Sequence, residues 1–351
     1  MDKEMFERLF FSRLSVKRGS ILVVVLWALF FLGALAVSIY ALLAPQIGLA
    51  GRLKERTRLF YLAQAGAQKA MAVLAEDKTK DSDGFNDEWA NSEDAFKDMR
   101  LGEEGHVNVS YDFVDDDGKK KTRYGLADEE RKININKATG EVLKQLIELT
   151  AQTTSQTASD IADSILDWVD EDSDPHANGA ENGYYEGLAQ GYSCKNAKFQ
   201  ILEELLLVKG MTQEIFSKVS AYLTVYGNGK VNLNTAGKYV LEALGMNGTL
   251  ADKVIRFRRG NDGEEATPDD NIFKSVDSVV AALSNGIGLS AEETEQLNSV
   301  IASAIAGVRS DYFRGESSGT QKYGDDESAS VTMKIVFVVD RKNNIRYWRE
   351  Q

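Results

Sequence analysis

The chain has 351 residues and a formal net charge of −13, a length that suggests about two or three domains. Its acidity argues against general binding to nucleic acid or anionic lipid. One cysteine, Cys194, and two histidines, His106 and His176, exclude an intramolecular disulfide framework and leave little for a zinc centre, whereas a hard cation held by carboxylates stays open.

Residues 1–19 read as a short cytoplasmic leader in which Lys3, Arg8, Arg13, Lys17 and Arg18 outweigh Asp2, Glu4 and Glu7. Ser20 to Ala44 is apolar and uncharged, and at ~1.5 Å rise per residue it is long enough to cross a hydrocarbon core of ~30 Å. The basic excess ahead of this span places the N-terminus in the cytoplasm and the polar body after Arg52 across the membrane. A secretory signal peptide has a shorter apolar region of ~7–15 residues; an uncut signal anchor is what the physics alone favours. The order Arg18-Gly19-Ser20 before an apolar run resembles the type IV prepilin leader. That resemblance implies cleavage by prepilin peptidase between Gly19 and Ser20, leaving the apolar helix at the new N-terminus.

Beyond the span, Pro45 and Gly48 mark a place where a long helix bends or opens. From Arg52 the pattern is amphipathic, with Leu53, Leu59, Leu62, Ala63, Ala67, Ala70, Met71 and Leu74 at helical spacing. One helix is therefore expected from about Ser20 to Glu76, its first half in lipid and its second half on a soluble domain. Residues 77–105 read as loop with a short helix around Ala95. His106 to Val114 alternates as a strand, Asp116-Asp117-Gly118 supplies turn chemistry, and Lys121 to Leu126 returns. Near the other end, Ser330 to Val339 and Ile345 to Trp348 form a similar pair about Asn343-Asn344.

The middle is duplicated. Ile133-Asn134-Ile135-Asn136-Lys137-Ala138 is echoed by Val231-Asn232-Leu233-Asn234-Thr235-Ala236, and a helical run follows each. The asparagines suit helix caps. Each copy has a second element opening on phenylalanine, Phe199 or Phe273. The first copy is the longer, and its excess lies between Asp163 and Cys194. Against a twelve-residue calcium loop, Asp170, Asp172 and Asp174 take positions one, three and five and Glu181 takes position twelve, with Asp167 at the head of the same acidic run. Pro175 stands where such loops carry glycine. Ca²⁺ would neutralise these carboxylates; a solvated acidic loop is the bland alternative.

Leu207-Val208-Lys209-Gly210-Met211-Thr212 and Leu244-Gly245-Met246 resemble helix-hairpin-helix units, which grip DNA phosphates through backbone N–H groups. From Arg131 to Val308, however, acidic residues outnumber lysine and arginine, and phosphate binding depends on clustered cations. A structural use of the hairpins is expected, and no nucleic-acid partner.

Taken together, the leader, Leu126 to Asn136, Asp167-Trp168-Val169-Asp170 through Gly179-Ala180-Glu181 and Tyr184-Tyr185, and Phe199 through Gly210 resemble the minor pseudopilin K family of type II secretion. The resemblance implies a non-enzymatic subunit at the tip of a periplasmic pseudopilus, complexed with minor pseudopilins I and J, with calcium in its helical region. Counted from Ser20, the fifth residue is Val24, where most pilin-like subunits carry a glutamate for the amine of the subunit above. A carboxylate in the bilayer costs about 2.5–3.5 kcal/mol and is kept only with a partner, so Val24 suits a topmost subunit.

The expected fold is α+β: an N-terminal transmembrane pilin-like helix packed on a small antiparallel sheet, with a large duplicated all-α (helix-hairpin-helix/SAM-like) domain inserted between strands. The expected boundaries are 1–19 leader, 20–44 membrane segment, 45–130 helix and first strands, 131–308 insertion and 309–351 returning strands. No catalytic arrangement is found. The expected role is in initiating or capping a pseudopilus for export of folded proteins, from the inner membrane with the large C-terminal region in the periplasm. A membrane-anchored DNA receptor of the competence type is the alternative.

Overall fold

The computed structural model describes residues 18–103, 105–114, 120–322 and 330–351. It falls into two units, the residues up to Arg58 and those from Leu59 to Gln351. Helix α1 (Arg18–Glu76) passes through Pro45 without losing helical assignment. In the first unit its large apolar side chains are exposed, Val24 among them at 64%, and the segment is long and apolar enough to cross a membrane. Most of the expected leader, residues 1–17, and the expected turn at Asp116-Asp117-Gly118 lie outside the described residues.

In the second unit the helix turns amphipathic in fact as well as in pattern. Leu59, Leu62, Ala63, Ala67, Ala70, Val73 and Leu74 are buried. After α2 (Glu93–Phe96), capped by Ser92, come β1 (Met99–Leu101), β2 (Gly105–Val114), β3 (Lys120–Tyr124) and β4 (Ala127–Asp128). The insertion follows, with β5 (Ile133–Asn134), α3 (Gly140–Ala151), α4 (Ser155–Val169), α5 (Asn182–Tyr185), α6 (Gln213–Val219), β6 (Leu223–Thr224), β7 (Val231–Asn232), α7 (Lys238–Ala243), α8 (Gly248–Arg258), α9 (Val279–Gly286), α10 (Ala291–Ala302) and β8 (Ala306–Gly307). The chain then returns through β9 (Tyr312–Lys322), β10 (Ser330–Asp340) and β11 (Ile345–Glu350).

The main sheet runs β1-β2-β9-β10-β11, with β3 on β2 and β4 on β9, all antiparallel. Its inner face, with Val109, Phe313, Ile335 and Phe337, shares a core with Ala63, Ala67, Ala70 and Leu74 of α1. Helix and sheet meet closely: a Cβ on Gly319 would stand 2.6 Å from the Ala63 nitrogen and 2.7 Å from the Leu59 oxygen. Sequence pattern found β2, β3, β10 and β11 but passed over β9, the strand between β2 and β10. Its Gly315, Ser317, Ser318 and Gly319 have poor strand propensity. Small side chains are what close approach to α1 requires, and the two criteria conflict.

The insertion has its own core, reaching from Ile133 to Val308 and including Leu143, Leu146, Ile161, Trp168, Phe199, Leu241, Val254 and Phe273. The duplication is structural: β5 pairs in parallel with β6, and β7 with β8. The paired asparagines do not cap helices, contrary to expectation; Thr139 and Gly237 precede α3 and α7. Instead Asn134 Oδ1 accepts the Asn136 N–H at 2.9 Å, and Asn232 Oδ1 accepts that of Asn234 at 3.0 Å. The second asparagine of each pair then clasps a phenylalanine backbone. Asn136 Oδ1 accepts from Phe199 N at 2.7 Å and its Nδ2 donates to Phe199 O at 3.1 Å. Asn234 does the same with Phe273 at 2.8 and 3.0 Å. An amide side chain, carrying donor and acceptor together, is the chemistry that such a two-way clasp needs.

Candidate metal centre

The acidic run of the first copy begins on the last turn of α4. That helix is capped by Thr154 and buries Ile161, Ile165 and Trp168, which fixes the direction of its C-terminal side chains. Trp168 is held in turn, edge-on to Tyr185 with ring centroids 5.2 Å apart and stacked at 6.4 Å on Phe199. Asp167 is fully buried beside it. Asp167 Oδ1 accepts the His176 N–H at 2.9 Å and also contacts the His176 imidazole, while Oδ2 accepts the Ala180 N–H at 2.6 Å. Gly179 has no room for a Cβ because the Asp167 carboxylate occupies that space. Lys209 closes the loop from outside, donating to Asn178 O at 3.1 Å and Gly179 O at 2.9 Å.

This folding gathers two overlapping groups of ligand atoms, each within 4.8 Å: Asp167, Asp170 and His176, and Asp170, Asp172 and Glu181. Glu181 is 6% exposed, and among the described residues neither of its carboxylate oxygens has a hydrogen-bond partner; the same holds for Asp170 Oδ1. Burial, with Asp167 and Asp170 close by, pushes the Glu181 carboxyl up. Asp170 is raised by burial and by Asp172 and Asp167. The hydrogen bond that the His176 imidazole makes to Asp167 raises His176. Buried carboxylate oxygens without donors are costly. An oxygen-seeking cation at ~2.3–2.6 Å would supply what the backbone does not, so the residues present fit Ca²⁺.

The structure brings together four of the five residues named from sequence. Asp174 is the exception. It is exposed, lies in neither group, and its N–H donates to Asp172 Oδ1 at 2.9 Å. Pro175 fixes φ where a calcium loop turns on glycine, so the fifth-position residue is not delivered. His176, noted in the sequence only in setting a zinc centre aside, stands beside Asp167 instead. Asp167 and Asp170, three apart at a helix end, were the legible part of that signal. Gly19 and Ser20 are in the first turn of α1, and Val24 lies on its apolar stretch.

Residues 110–228, which include this loop, match the family model described as Type II secretion system (T2SS), protein K. No curated protein matches the chain. Among solved structures, a chain of the GspK–GspI–GspJ complex from the enterotoxigenic Escherichia coli Type 2 Secretion System matches with a TM-score of 0.58 at 17% identity, over 86% of this chain and 98% of that one. At that identity the likeness is one of fold. The α+β architecture and the resemblance to type II secretion protein K, both read from the residues, are borne out.

Proposed function

We propose that this chain, whose residues 110–228 match the family model of type II secretion protein K, is the minor pseudopilin that sits at the pseudopilus tip. It is held in the inner membrane by the apolar half of α1, with the body in the periplasm, and it takes part in starting or capping the filament with minor pseudopilins I and J. The observation that carries this reading is the insertion, a lobe with its own core carried on a pilin-like helix and sheet. Subunits of a helical filament repeat closely along the shaft, so a lobe of this size on every subunit would meet its neighbours, and at the end it would not. Val24 supports the same place, since nothing above need offer an amine to it.

Calcium belongs to the proposal as the ion held by Asp170, Asp172 and Glu181, with Asp167 and His176 beside it. Its chemistry there is charge neutralisation and cross-linking of the loop. Cleavage between Gly19 and Ser20 by prepilin peptidase is part of the reading too, and mass analysis of the assembled protein should find Ser20 at the N-terminus. The test of tip location is antibody or gold labelling of the helical lobe on sheared, overproduced filaments. Label at one end is expected; label along the shaft would overturn the proposal.

A further inference from the structure

We infer that the joint between the sheet and the helical insertion binds an oxyanion, specifically a carboxylate on an extended acidic peptide segment laid in the groove beside Arg131. The groove encloses about 430 Å³ and is lined by Tyr111, Phe113, Arg131, Tyr222 and Arg314 among others. Behind it lies an excess of positive charge. The guanidinium carbons of Arg123, Arg131 and Arg258 stand 4.3, 5.6 and 6.0 Å from the centroid of one ring, Phe85. One carboxylate answers them: Glu265 bonds Arg123 at 3.2 Å and Arg258 at 3.0 Å. Arg131 has no ion pair among the described residues.

Two of these cations are shut away from solvent, and Arg131, half-buried, is the one that reaches the groove. Arg123 is 6% and Arg258 3% exposed; Arg258 Nη1 donates to the Leu233 and Ala236 carbonyls at 2.9 and 2.7 Å, but among the described residues Arg123 Nη1 and Arg258 Nε have no hydrogen-bond partner. Three guanidinium groups gathered about one ring share a single carboxylate, so a further anion at Arg131 would offset their mutual repulsion. Arginine is suited to this, since its planar fork matches carboxylate geometry. The acids nearest along the groove are already engaged, Asp112 with Lys120 at 3.1 Å and Glu316 with Lys334 at 2.6 Å. Lys132 is engaged as well, with Glu129 at 2.8 Å.

Two features favour an anion carried on a peptide over a free one. The groove has aromatic walls and more space than a small anion fills. It also follows a strand edge: β2 pairs with β9 only as far as Ser110, opposite Glu316. Among the described residues Tyr111, Asp112 and Phe113 pair with β3 alone. An open edge beside cationic and aromatic side chains is the setting in which an extended segment adds by backbone hydrogen bonds.

The full chain in detergent micelles can be titrated with a blocked glutamate–tyrosine tetrapeptide and, separately, with inorganic phosphate. Saturable peptide binding is expected, weakened at least tenfold by Arg131→Gln, unchanged by Lys274→Gln as a charge-matched control at an exposed site, and competed by phosphate. If Arg131→Gln does not fold, Arg314→Gln at the same groove provides the comparison. Arg131-dependent binding of phosphate with none of the peptide would overturn the peptide as the source of the anion. No saturable binding of either probe, or an equal loss in Lys274→Gln, would overturn the site.

Discussion

Single side chains decide two features of this molecule. Glu181 is buried with both oxygens unpartnered, a cost without an ion and a gain with one. Glu181→Gln should therefore weaken calcium binding at least tenfold, or about 1.4 kcal/mol. It should also leave the protein no less stable than the parent in chelator, because it removes a buried negative charge. Melting curves of both proteins in calcium and in chelator test both limbs. If neither protein responds to calcium, the loop is merely solvated. Asn232 is the second case: fully buried, its Nδ2 donates to Asp83 O at 3.1 Å, Asp128 Oδ2 at 3.0 Å and Ser310 Oγ at 3.0 Å. Its counterpart Asn134 donates to two carbonyls, of Tyr226 and Gly227. Asn232→Ala removes the donor to the Asp83 carbonyl and one of the two donors to Asp128 Oδ2, the Thr235 hydroxyl remaining at 2.5 Å, and should cost about 1–3 kcal/mol. Asn134→Ala should cost less in the same denaturant titration. Equal losses would contradict the assigned roles.

At the scale of elements, the seating of α1 on the sheet depends on what β9 leaves out. Leu59 and Ala63 on the helix meet Gly319 on the strand, where a Cβ collides with helix backbone that cannot swing aside as a side chain end can. Gly319→Val satisfies strand propensity better yet should destabilise the body by about 1–3 kcal/mol through overpacking. Unfolding measurements check the sign: a gain in stability would mean that propensity, not the helix contact, governs this strand. The polar turn after β10 is fixed differently. Asp340 accepts the Lys342 and Asn344 amides at 2.9 Å each and binds Arg346 at 2.8 Å. Burial alone would raise Asp340, but these bonds outweigh it and hold its carboxyl at about 2.

At the scale of the whole molecule, the joint between sheet and insertion gives folding a pH signature. Burial pushes Asp83 up to about 7 despite the Arg341 guanidinium at its side. Glu130, which accepts the Asn228 amide at 3.3 Å and also the Asp311 amide, is likewise raised by burial to about 7. Carboxyls raised above their unfolded values bind protons on folding, so stability should fall as pH rises from about 4 to about 7. Glu265 works the other way. Burial would raise it, but Arg258 and Arg123 hold it at about 2, and its contribution, like that of Asp340, is lost as pH falls below about 4. A stability maximum at about pH 4 follows from these groups. The melting temperature of the calcium-loaded protein should be at least about 2 °C higher at pH 6 than at pH 8, and Glu130→Gln should flatten that difference. A melting temperature that rises from pH 6 to pH 8 would refute the account. The filament prediction belongs here too. Deleting residues 131–308 should leave a subunit narrow enough to enter the shaft, whereas deleting the whole protein should impair initiation and secretion, as filament counts and secretion assays would show.

What the sequence determined by itself was whatever depends on near neighbours along the chain. The apolar run into α1 and its change to an amphipathic stripe at Arg52, the alternation of β2, the Asn-x-Asn motif within each copy and the clustering of Asp167, Asp170 and Asp172 are each patterns among residues near one another in the sequence. Local periodicity and charge therefore report them without help from the fold. Tertiary structure decided the rest. β9 is a strand because its small residues admit α1, a demand that comes from the far side of the chain and runs against local propensity. Asn136 and Asn234 hold phenylalanine backbones far along the sequence rather than helix ends nearby. Asp174 is turned away and His176 brought in, because Asp167 is buried and takes its partners from the backbone that reaches it. The cluster of Arg123, Arg131 and Arg258 about Phe85 could not be read at all. Its members come from a strand, a turn and a helix, and electrostatic energy depends on their separation in space, which spacing along the chain does not encode.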